Sequence, residues 1–291
     1  MAGKWWGEMD RRADLHVHTT ASDGALSPTQ VVEAASKAGL AAVGIADHDT
    51  ADGIAEALAA GERFGIEVVP AMEISAVHEA TEAHILGYFI DHRQPALVEQ
   101  MRILKEGRWE RGRLMVEKLN AMGVRVDFGR VEELAQGGAV GRPHVARAIC
   151  EVGAASSMDA AFGRFLQVGG PAYVPRLEVS PARAVEIVLD AGGVPCCAHV
   201  AKLRRDDLVL ELARHGLAAV EVYHPDHSPA ASRFYRRFAE RNGLIATGGS
   251  DAHCIPNTSS PGIGAVTVEY GVVEELSRAR ARAGKSTDEH G

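Results

Sequence analysis

The stretch DLHVHTTASDG, residues 14–24, places His16 and His18 two positions apart and brings Asp23 within five residues of them. On an extended chain alternate side chains share a face, so both imidazoles project to one side while Leu15 and Val17 project to the other. An isolated His-x-His equally suits a half-buried strand with one wet face, and the pair gains meaning only from its company. That company recurs along the chain. ADHDT supplies Asp47, His48 and Asp49, PAMEIS supplies Glu73, and His84 lies in EAHILGYFI; CCAHV supplies His199, VYHPDH supplies His224 and His227, and GGSDAH supplies Asp251 and His253. Imidazole and carboxylate without thiolate suit Zn²⁺, Mn²⁺ or Fe²⁺ and disfavour iron–sulfur or Cu(I) chemistry. About nine such ligands exceed what one tetrahedral ion can use. A cluster of two or three divalent ions sharing a bridging carboxylate is the expected cofactor. Closely spaced ions of this kind clamp phosphoryl oxygens and acidify a water at neutral pH, so a metal-assisted hydrolase is the chemistry these residues suit.

Seven short apolar runs must bring these groups together: Ala13–His18, Ala41–Asp47, Glu67–Ser75, Ala83–Ile90, Gly193–His199, Ala218–His224 and Leu244–Ser250. Ala-rich amphipathic stretches separate them, the pattern of repeated β-α units. Pro28 to Ala38 is one such helix, with Ser27 as its cap, Pro28 at its first position and Gly39 closing it. In a parallel β/α barrel the carboxyl ends of the strands meet on one face, and almost every candidate ligand falls at such an end. Residues 95–175 break the rhythm with helical periodicity and hardly a strand, which predicts a helical insertion between the fourth and fifth strands. Residues 10–94 and 176–270 are then the barrel, and 271–291 a C-terminal helix with a polar tail. The GKS in that tail lacks the leading glycine and strand of a phosphate-binding loop.

Composition narrows the function further. The chain has 291 residues, 46% of them hydrophobic, and a formal charge of −8, which argues against general affinity for duplex DNA. No run approaches the roughly 18 apolar residues of a membrane span, and the opening MAGKWWGEMDRR has no apolar signal-peptide core; the expected location is the cytoplasm. Cys150, Cys196, Cys197 and Cys254 form no C-x-x-C pair, so all four read as reduced thiols, Cys196 and Cys197 as core residues. Cys254, beside the candidate site, has no evident base and reads as structural.

Taken as an ordered set, DLHVHTTASDG, ADHDT, AMEIS, HILGYFI, CAHV, EVYHPDHSP and GSDAH resemble the polymerase-and-histidinol-phosphatase (PHP) family of metal-dependent phosphoesterases. Within it they look like the TrpH-like branch of 3′,5′-nucleoside bisphosphate phosphatases and 5′-to-3′ exoribonucleases. The resemblance runs from residue 13 to about 268 and is highly specific. It implies an α/β fold, a distorted seven-stranded (β/α)7 barrel. It also implies one metal held by His16, His18, Glu73 and Asp251, a second held by Glu73, His84 and His199 with Glu73 bridging, and a third held by Asp23, His48 and His253. One position departs from the pattern: Val200 follows His199 where the family has proline.

Substrate contacts are expected from two places. GGAVGRPHVARAI sets Gly141 to His144 at a helix start, where free N–H groups and the helix dipole favour an anion, so Arg142 and His144 are candidate phosphate ligands. His224 and His227 lie past a strand end and are candidates to touch the phosphate or to protonate the leaving oxygen. Asp47 and Asp49, flanking His48, are expected to orient ligating imidazoles. The resulting expectation is a phosphoesterase that converts a 3′,5′-nucleoside bisphosphate to the nucleoside 5′-phosphate and acts on short single-stranded RNA from its 5′ end. The reaction would be in-line attack without a phospho-enzyme. Histidinol phosphate is the rival substrate; a non-catalytic metal-binding module is a rival of another class, one that would be expected to have lost ligands.

Overall fold

The computed structural model describes residues 11–79, 81–176, 179–256, 258 and 261–288, the last six as backbone. The Trp5–Trp6 pair and the final three residues of the polar tail lie outside the described residues.

The strands are β1 (Arg12–Val17), β2 (Ala42–Ile45), β3 (Glu67–His78), β4 (Thr81–Tyr88), β5 (Val194–Cys197), β6 (Ala219–Tyr223), β7 (Ile245–Gly248) and β8 (Val268–Glu269). They form one sheet in the order β7-β6-β5-β4-β3-β2-β1-β8, which curls into a distorted, nearly closed α/β barrel. Each of the seven expected strands is present, and the two-residue β8, antiparallel to the start of β1, is an addition. The helices are α1 (Pro28–Lys37), α2 (Ile54–Phe64), α3 (Pro95–Ala121), α4 (Phe128–Leu134), α5 (Arg142–Glu151), α6 (Met158–Ala161), α7 (Pro181–Asp190), α8 (Val200–Leu203), α9 (Asp206–Arg214), α10 (Pro229–Asn242) and α11 (Gly271–Asp288), with a π-helical turn at Phe162–Leu166.

Local chemistry explains the ends of α1. Ser27 Oγ accepts from Gln30 N while the Gln30 side chain accepts from Ser27 N, a reciprocal cap that satisfies two otherwise orphaned donors. Past the other end, Gly39 takes a positive φ of 76° without strain.

The expectation of uniformly parallel strands is corrected at β4, which runs antiparallel to both β3 and β5. Only two residues separate His78 from Thr81, and a parallel return needs a crossover of about a dozen or more. His84 therefore reaches the site from within β4, opposite Ser75, and not from a strand's carboxyl end.

On the inner side of the sheet Ala42, Val69, Tyr88, Cys196 and Ala219 pack together, with Val273 and Leu276 of α11 covering one end. The other side takes Val43 and Ile45 against Val31 and Val32 of α1 and Ala57 of α2. Between β4 and β5 the long α3 straddles two cores. Leu97, Met101 and Leu104 join the apolar layer outside the barrel, whereas Met115, Val116 and Leu119 join a separate cluster with Val131, Ile149 and Phe165.

Closure of the barrel is concentrated at the end that carries the histidines. Val17 bridges Ala252, and His18 N donates to Ala252 O at 3.0 Å. The Asp14 carboxylate accepts from Ser250 N (2.9 Å), Ser250 Oγ (2.6 Å) and Gly264 N (2.8 Å), lacing β1 to the segment after β7. Burial outweighs these bonds and raises the Asp14 carboxyl to about 6. The two segments approach so closely that a Cβ on Gly249 would lie 2.4 Å from His16 Cβ. Gly249→Ala is accordingly expected to destabilise the fold by about 1–3 kcal/mol through overpacking. Gly262→Ala, with nothing within 4 Å of its added carbon, should leave the urea midpoint unchanged; equal midpoints for the two variants would refute the account of closure.

Candidate metal centre

Glu73, from the middle of β3, is 1% exposed and stands among five imidazoles. Its Oε1 lies 2.7 Å from His84 Nδ1 and 3.1 Å from His199 Nε2, and its Oε2 lies 3.0 Å from His48 Nδ1 and 3.4 Å from both His16 Nε2 and His18 Nε2. Asp251 closes the cluster from the segment after β7, with Oδ1 3.0 Å from His18 Nε2 and 3.5 Å from His16 Nε2. Asp23 Oδ1 lies 3.3 Å from His253 Nε2 and 3.7 Å from His18 Nδ1. The β-strand geometry of β1 keeps His16 and His18 on one side, their Nε2 atoms 3.1 Å apart.

Three groups of ligand atoms within this cluster are close enough to hold an ion: His16, His18 and Asp251; His18, Asp23, His48 and His253; and His48, Glu73 and His84. His199 joins the last through its contact with the same Glu73 oxygen as His84. The donor set fits cations for a specific reason. His18 Nδ1 and His84 Nε2 are buried without a hydrogen-bond partner, and His48 Nδ1 faces Glu73 without hydrogen-bond geometry. Two imidazole nitrogens 3.1 Å apart can share at most one proton, whereas a divalent ion between them satisfies both lone pairs.

Charge is distributed unevenly. Burial opposes protonation of His16, yet Glu221, Asp251 and Glu73 raise it well above the ordinary range. His253 is likewise penalised by burial but pushed up to about 10 by Asp23 and Asp251. In His48 burial prevails and the imidazole falls to about 4. For Glu73 burial works against the carboxylate, but His48, His84 and His16 hold it well below its ordinary value. The same carboxylates that draw protons onto His16 and His253 are those that would meet a cation, which displaces such protons on binding.

The backbone that presents these groups is itself strained. Asp49, His199 and Asp251 all have positive φ, at 52°, 30° and 50°, and left-handed backbone at non-glycine residues persists only where the surroundings hold it. Glu221 supplies part of that hold. Fully buried on β6, it accepts from His16 Nδ1 at 2.9 Å and from the His199 backbone N–H at 2.7 Å, fixing the ring of His16 and the backbone of His199 with one carboxylate. The turn at His199–Val200 leads directly into α8.

The remaining sequence candidates fall into distinct positions. Asp47 accepts from Thr19 N, Thr19 Oγ1 and Ser22 Oγ at 2.6–2.7 Å, and Asp49 from Ser75 N at 2.8 Å and Arg108 Nε at 2.5 Å. Among the described residues neither hydrogen-bonds an imidazole; their bonds fix the two loops that carry Asp23 and His48. His224 accepts from Asp226 N with Nδ1 and presents Nε2 to Asp251 Oδ2 at 3.2 Å. His227 is taken up by backbone at both nitrogens, donating to Val222 O and accepting from Ala201 N. His144 turns back on its own helix, its Nδ1 accepting from Gly141 N at 2.9 Å.

Beside the cluster opens a cavity of about 260 Å³ lined by His48, His84, His199, Arg142, Lys202 and Glu82 among others. Arg142 Nη2 lies 3.1 Å and Arg176 Nε 3.4 Å from the two oxygens of Glu82, with Arg108 on Asp49 and Arg111 on Val174 O nearby. Three guanidiniums thus share two carboxylates, and a fourth, Arg111, lies beside them on a backbone carbonyl. Burial and the neighbouring Arg176 and Arg142 push Arg111 down to about 9, and Arg111 Nη2 and Arg176 Nη1 are buried without partners. Glu221, Glu82, Arg108, Arg111 and Arg176 were absent from the sequence reading, which singled out Arg142 alone of this group. A carboxylate inside the apolar run AAVEVY was a signal for Glu221, and Arg108 and Arg111 flanked by Gly107 and Gly112 within a helix was another; Gly112 is required where a Cβ would meet Val140 Cγ1 at 2.7 Å.

Comparison with known proteins places these observations in a context. The description "PHP domain" matches residues 14–125. The chain is 35% identical over 246 residues to the 3′,5′-nucleoside bisphosphate phosphatase of Chromobacterium violaceum, covering 82% of this chain and 86% of the relative. It is 36% identical over 249 residues to the 5′-3′ exoribonuclease Rnm of Escherichia coli, covering 82% and 84%. A proposed metal-dependent phosphoesterase from Bifidobacterium adolescentis superimposes with a TM-score of 0.86 at 30% identity, over 92% of this chain and 96% of that one.

Two outcomes are expected of this geometry. Glu221→Gln should leave the protein folded and weaken divalent-ion affinity by about 10- to 100-fold, measured by calorimetric titration of metal-stripped protein; unchanged affinity would reduce Glu221 to a filler. Burial tends to raise Glu82, but Arg176 and Arg142 bring it from 4.5 to about 2. Its stabilisation is thus complete above pH 4.5 and lost as the pH falls through about 2. Glu82→Gln should cost up to about 3 kcal/mol at neutral pH, the gap closing towards pH 2; a gap independent of pH in urea unfolding would remove the ion-pair account.

Proposed function

The chain belongs to the PHP family of metal-dependent phosphoesterases, and from that premise we propose that it removes the 3′-phosphate of nucleoside 3′,5′-bisphosphates and degrades short single-stranded RNA from the 5′ end. The observation that carries this reading is the juxtaposition of the Glu73-centred imidazole cluster with a group of four arginines, three of which share two carboxylates while Arg111 bonds only to a backbone carbonyl. Histidinol phosphate brings one phosphoryl group; a nucleoside bisphosphate brings two, and the excess of guanidinium suits the second.

In this reading two or three ions, Mn²⁺, Fe²⁺ or Zn²⁺, are held by His16, His18, Glu73 and Asp251, by Glu73, His84 and His199, and by Asp23, His48 and His253. When bound, such ions neutralise phosphoryl oxygens and acidify a water. The chain's own residues do the rest. Glu221 fixes the ring of His16 and the backbone of His199, and His224 holds Asp251, so that ligand geometry is set before substrate arrives. Arg142 exchanges Glu82 for the substrate phosphate and offers it two parallel N–H donors. Lys202, on Asp226 at 2.9 Å and lining the same cavity, adds positive charge at the mouth. Residues 95–175 act as the lid that carries Arg108, Arg111 and Arg142, on the barrel formed by 10–94 and 176–270, with 271–291 as a terminal appendage. Among the described residues no helix is long and apolar enough to cross a membrane, and we place the enzyme in the cytoplasm. Its net charge of −8 disfavours duplex DNA as a partner.

Metal-stripped protein reconstituted with Mn²⁺ is expected to release phosphate from adenosine 3′,5′-bisphosphate and nucleotides from 5′-phosphorylated RNA, with both activities abolished in Glu73→Ala. Arg142→Ala should raise KM for the bisphosphate by about 10- to 100-fold, the loss of one charge-assisted pairing. Turnover of histidinol phosphate alone would replace the nucleotide assignment with that of a small-molecule phosphatase.

A further inference from the structure

We propose that the outer face of α10 is a track for single-stranded RNA, leading from the mouth of the metal centre along the outside of the barrel. This rests on the RNA arm of the proposed function and adds to it where the strand lies beyond the reacting end. The charge balance of α10 is the first argument. In a chain of net charge −8, this helix carries Arg233, Arg236, Arg237 and Arg241 against one acid, Glu240. Arg236 pairs with Glu240 at 3.3 Å. Arg233, Arg237 and Arg241 are exposed and form no ion pair among the described residues. Arg102 is tied down by Glu99 and Glu106, Arg113 by Glu110 and Glu117, and Arg130 by Glu133 and Glu151, whereas Arg63 and Arg214, exposed without an ion pair among the described residues, stand singly and form no row.

Spacing is the second argument. Positions 233, 237 and 241 recur every four residues, so the three guanidiniums form a row rising about 6 Å per step, able to meet successive phosphates of an extended strand. Next to that row runs Phe234, 53% exposed, followed one turn on by the part-buried Phe238, and the two rows line one shallow groove. Aromatic faces beside a cationic row are the pairing that single-stranded nucleic acid uses, base on ring and phosphate on guanidinium. A membrane surface would ask for a broader apolar face than one exposed phenyl ring.

Rigidity and placement complete the case. Tyr235 and Ala239 anchor the opposite face of α10 in the core, and Tyr235 Oη donates to Asp206 Oδ1 at 2.9 Å. Phe234 packs edge-on against Tyr235, with ring centroids 5.0 Å apart. The helix is capped by Ser228, next to His227 and four residues after His224, whose Nε2 lies 3.2 Å from Asp251. Arg233 is therefore the arginine of the row nearest the metal centre and Arg241 the farthest.

The test uses the full chain and 5′-labelled RNA of about 3 and about 10 nucleotides, lengths either side of a single site. Binding is measured with metal chelated, and cleavage with Mn²⁺. Wild type is expected to bind the longer oligomer at least tenfold more tightly. Arg233→Ala/Arg237→Ala/Arg241→Ala should abolish that gain and lower the salt dependence of log K by about 2, the share of three phosphates on a single strand. Phe234→Ala should weaken binding of the longer oligomer by about tenfold. Turnover of adenosine 3′,5′-bisphosphate should be unaffected in these variants, and a triple control at Arg63, Arg214 and Arg278 should retain the length effect. Absence of a length effect in wild type, or its persistence in the α10 triple variant, overturns the track. Binding lost only to anionic phosphatidylserine vesicles, and not to RNA, overturns it in favour of a membrane surface. If wild type cleaves neither bisphosphate nor RNA the catalytic reading fails, and the metal-free binding series still decides the track on its own.

Discussion

A carboxylate cannot be buried without compensation, and Glu73 is buried among five imidazoles. Withdrawing such an ion from water costs several kcal/mol even after the protein relaxes, and among the described residues no lysine or arginine pairs with its oxygens. Compensation must come from protons on the surrounding histidines or from cations among them. Much of the molecule follows from that demand. Four segments must deliver His16, His18, His48, His84 and His199 to one carboxylate, and each must turn its imidazoles inward.

The barrel meets this demand by departing from regularity at the places where ligands are delivered. Asp49, His199 and Asp251 occupy left-handed backbone, β4 reverses direction, and β1 is closed by a bridge and the Asp14 carboxylate in place of a full ladder. Each irregularity costs stability and is held by a neighbour: Glu221 for His199, Arg108 for Asp49, His224 for Asp251. Strain gathered at one end of an otherwise well-packed sheet is the signature of a preorganised site.

The first and second strands, α1 and the candidate ligands were readable because each depends on short-range patterns. Alternation sets the shared face of His16 and His18, and Ser27, Pro28 and Gly39 mark a helix within a dozen residues. The reversal of β4 was not read, although the short connection after His78 already excluded a crossover. Nor were the partners of Asp47 and Asp49, because carboxylates beside a histidine look the same whether they face the ring or the backbone. Glu82 was invisible for another reason: its partners, Arg142 and Arg176, lie 60 and 94 positions away (142 − 82 and 176 − 82), and no periodicity links them. His227 shares VYHPDH with His224, but the motif does not show that its two nitrogens point at backbone.

The β3–β4 hairpin has a consequence for how the centre comes into being. Glu73 and His84 are 11 positions apart, so their contact closes a small loop. His16 and Asp251, by contrast, can meet only when 235 positions of chain (251 − 16) have been gathered into a barrel. Contacts of short sequence separation incur the smaller entropy cost of closure and are favoured to form first. The cluster is therefore assembled around a local nucleus and completed by its most distant member. An incomplete barrel would offer a cation the hairpin's two ligands but not the full cage, so tight metal retention is a chemical report that the last strand has docked.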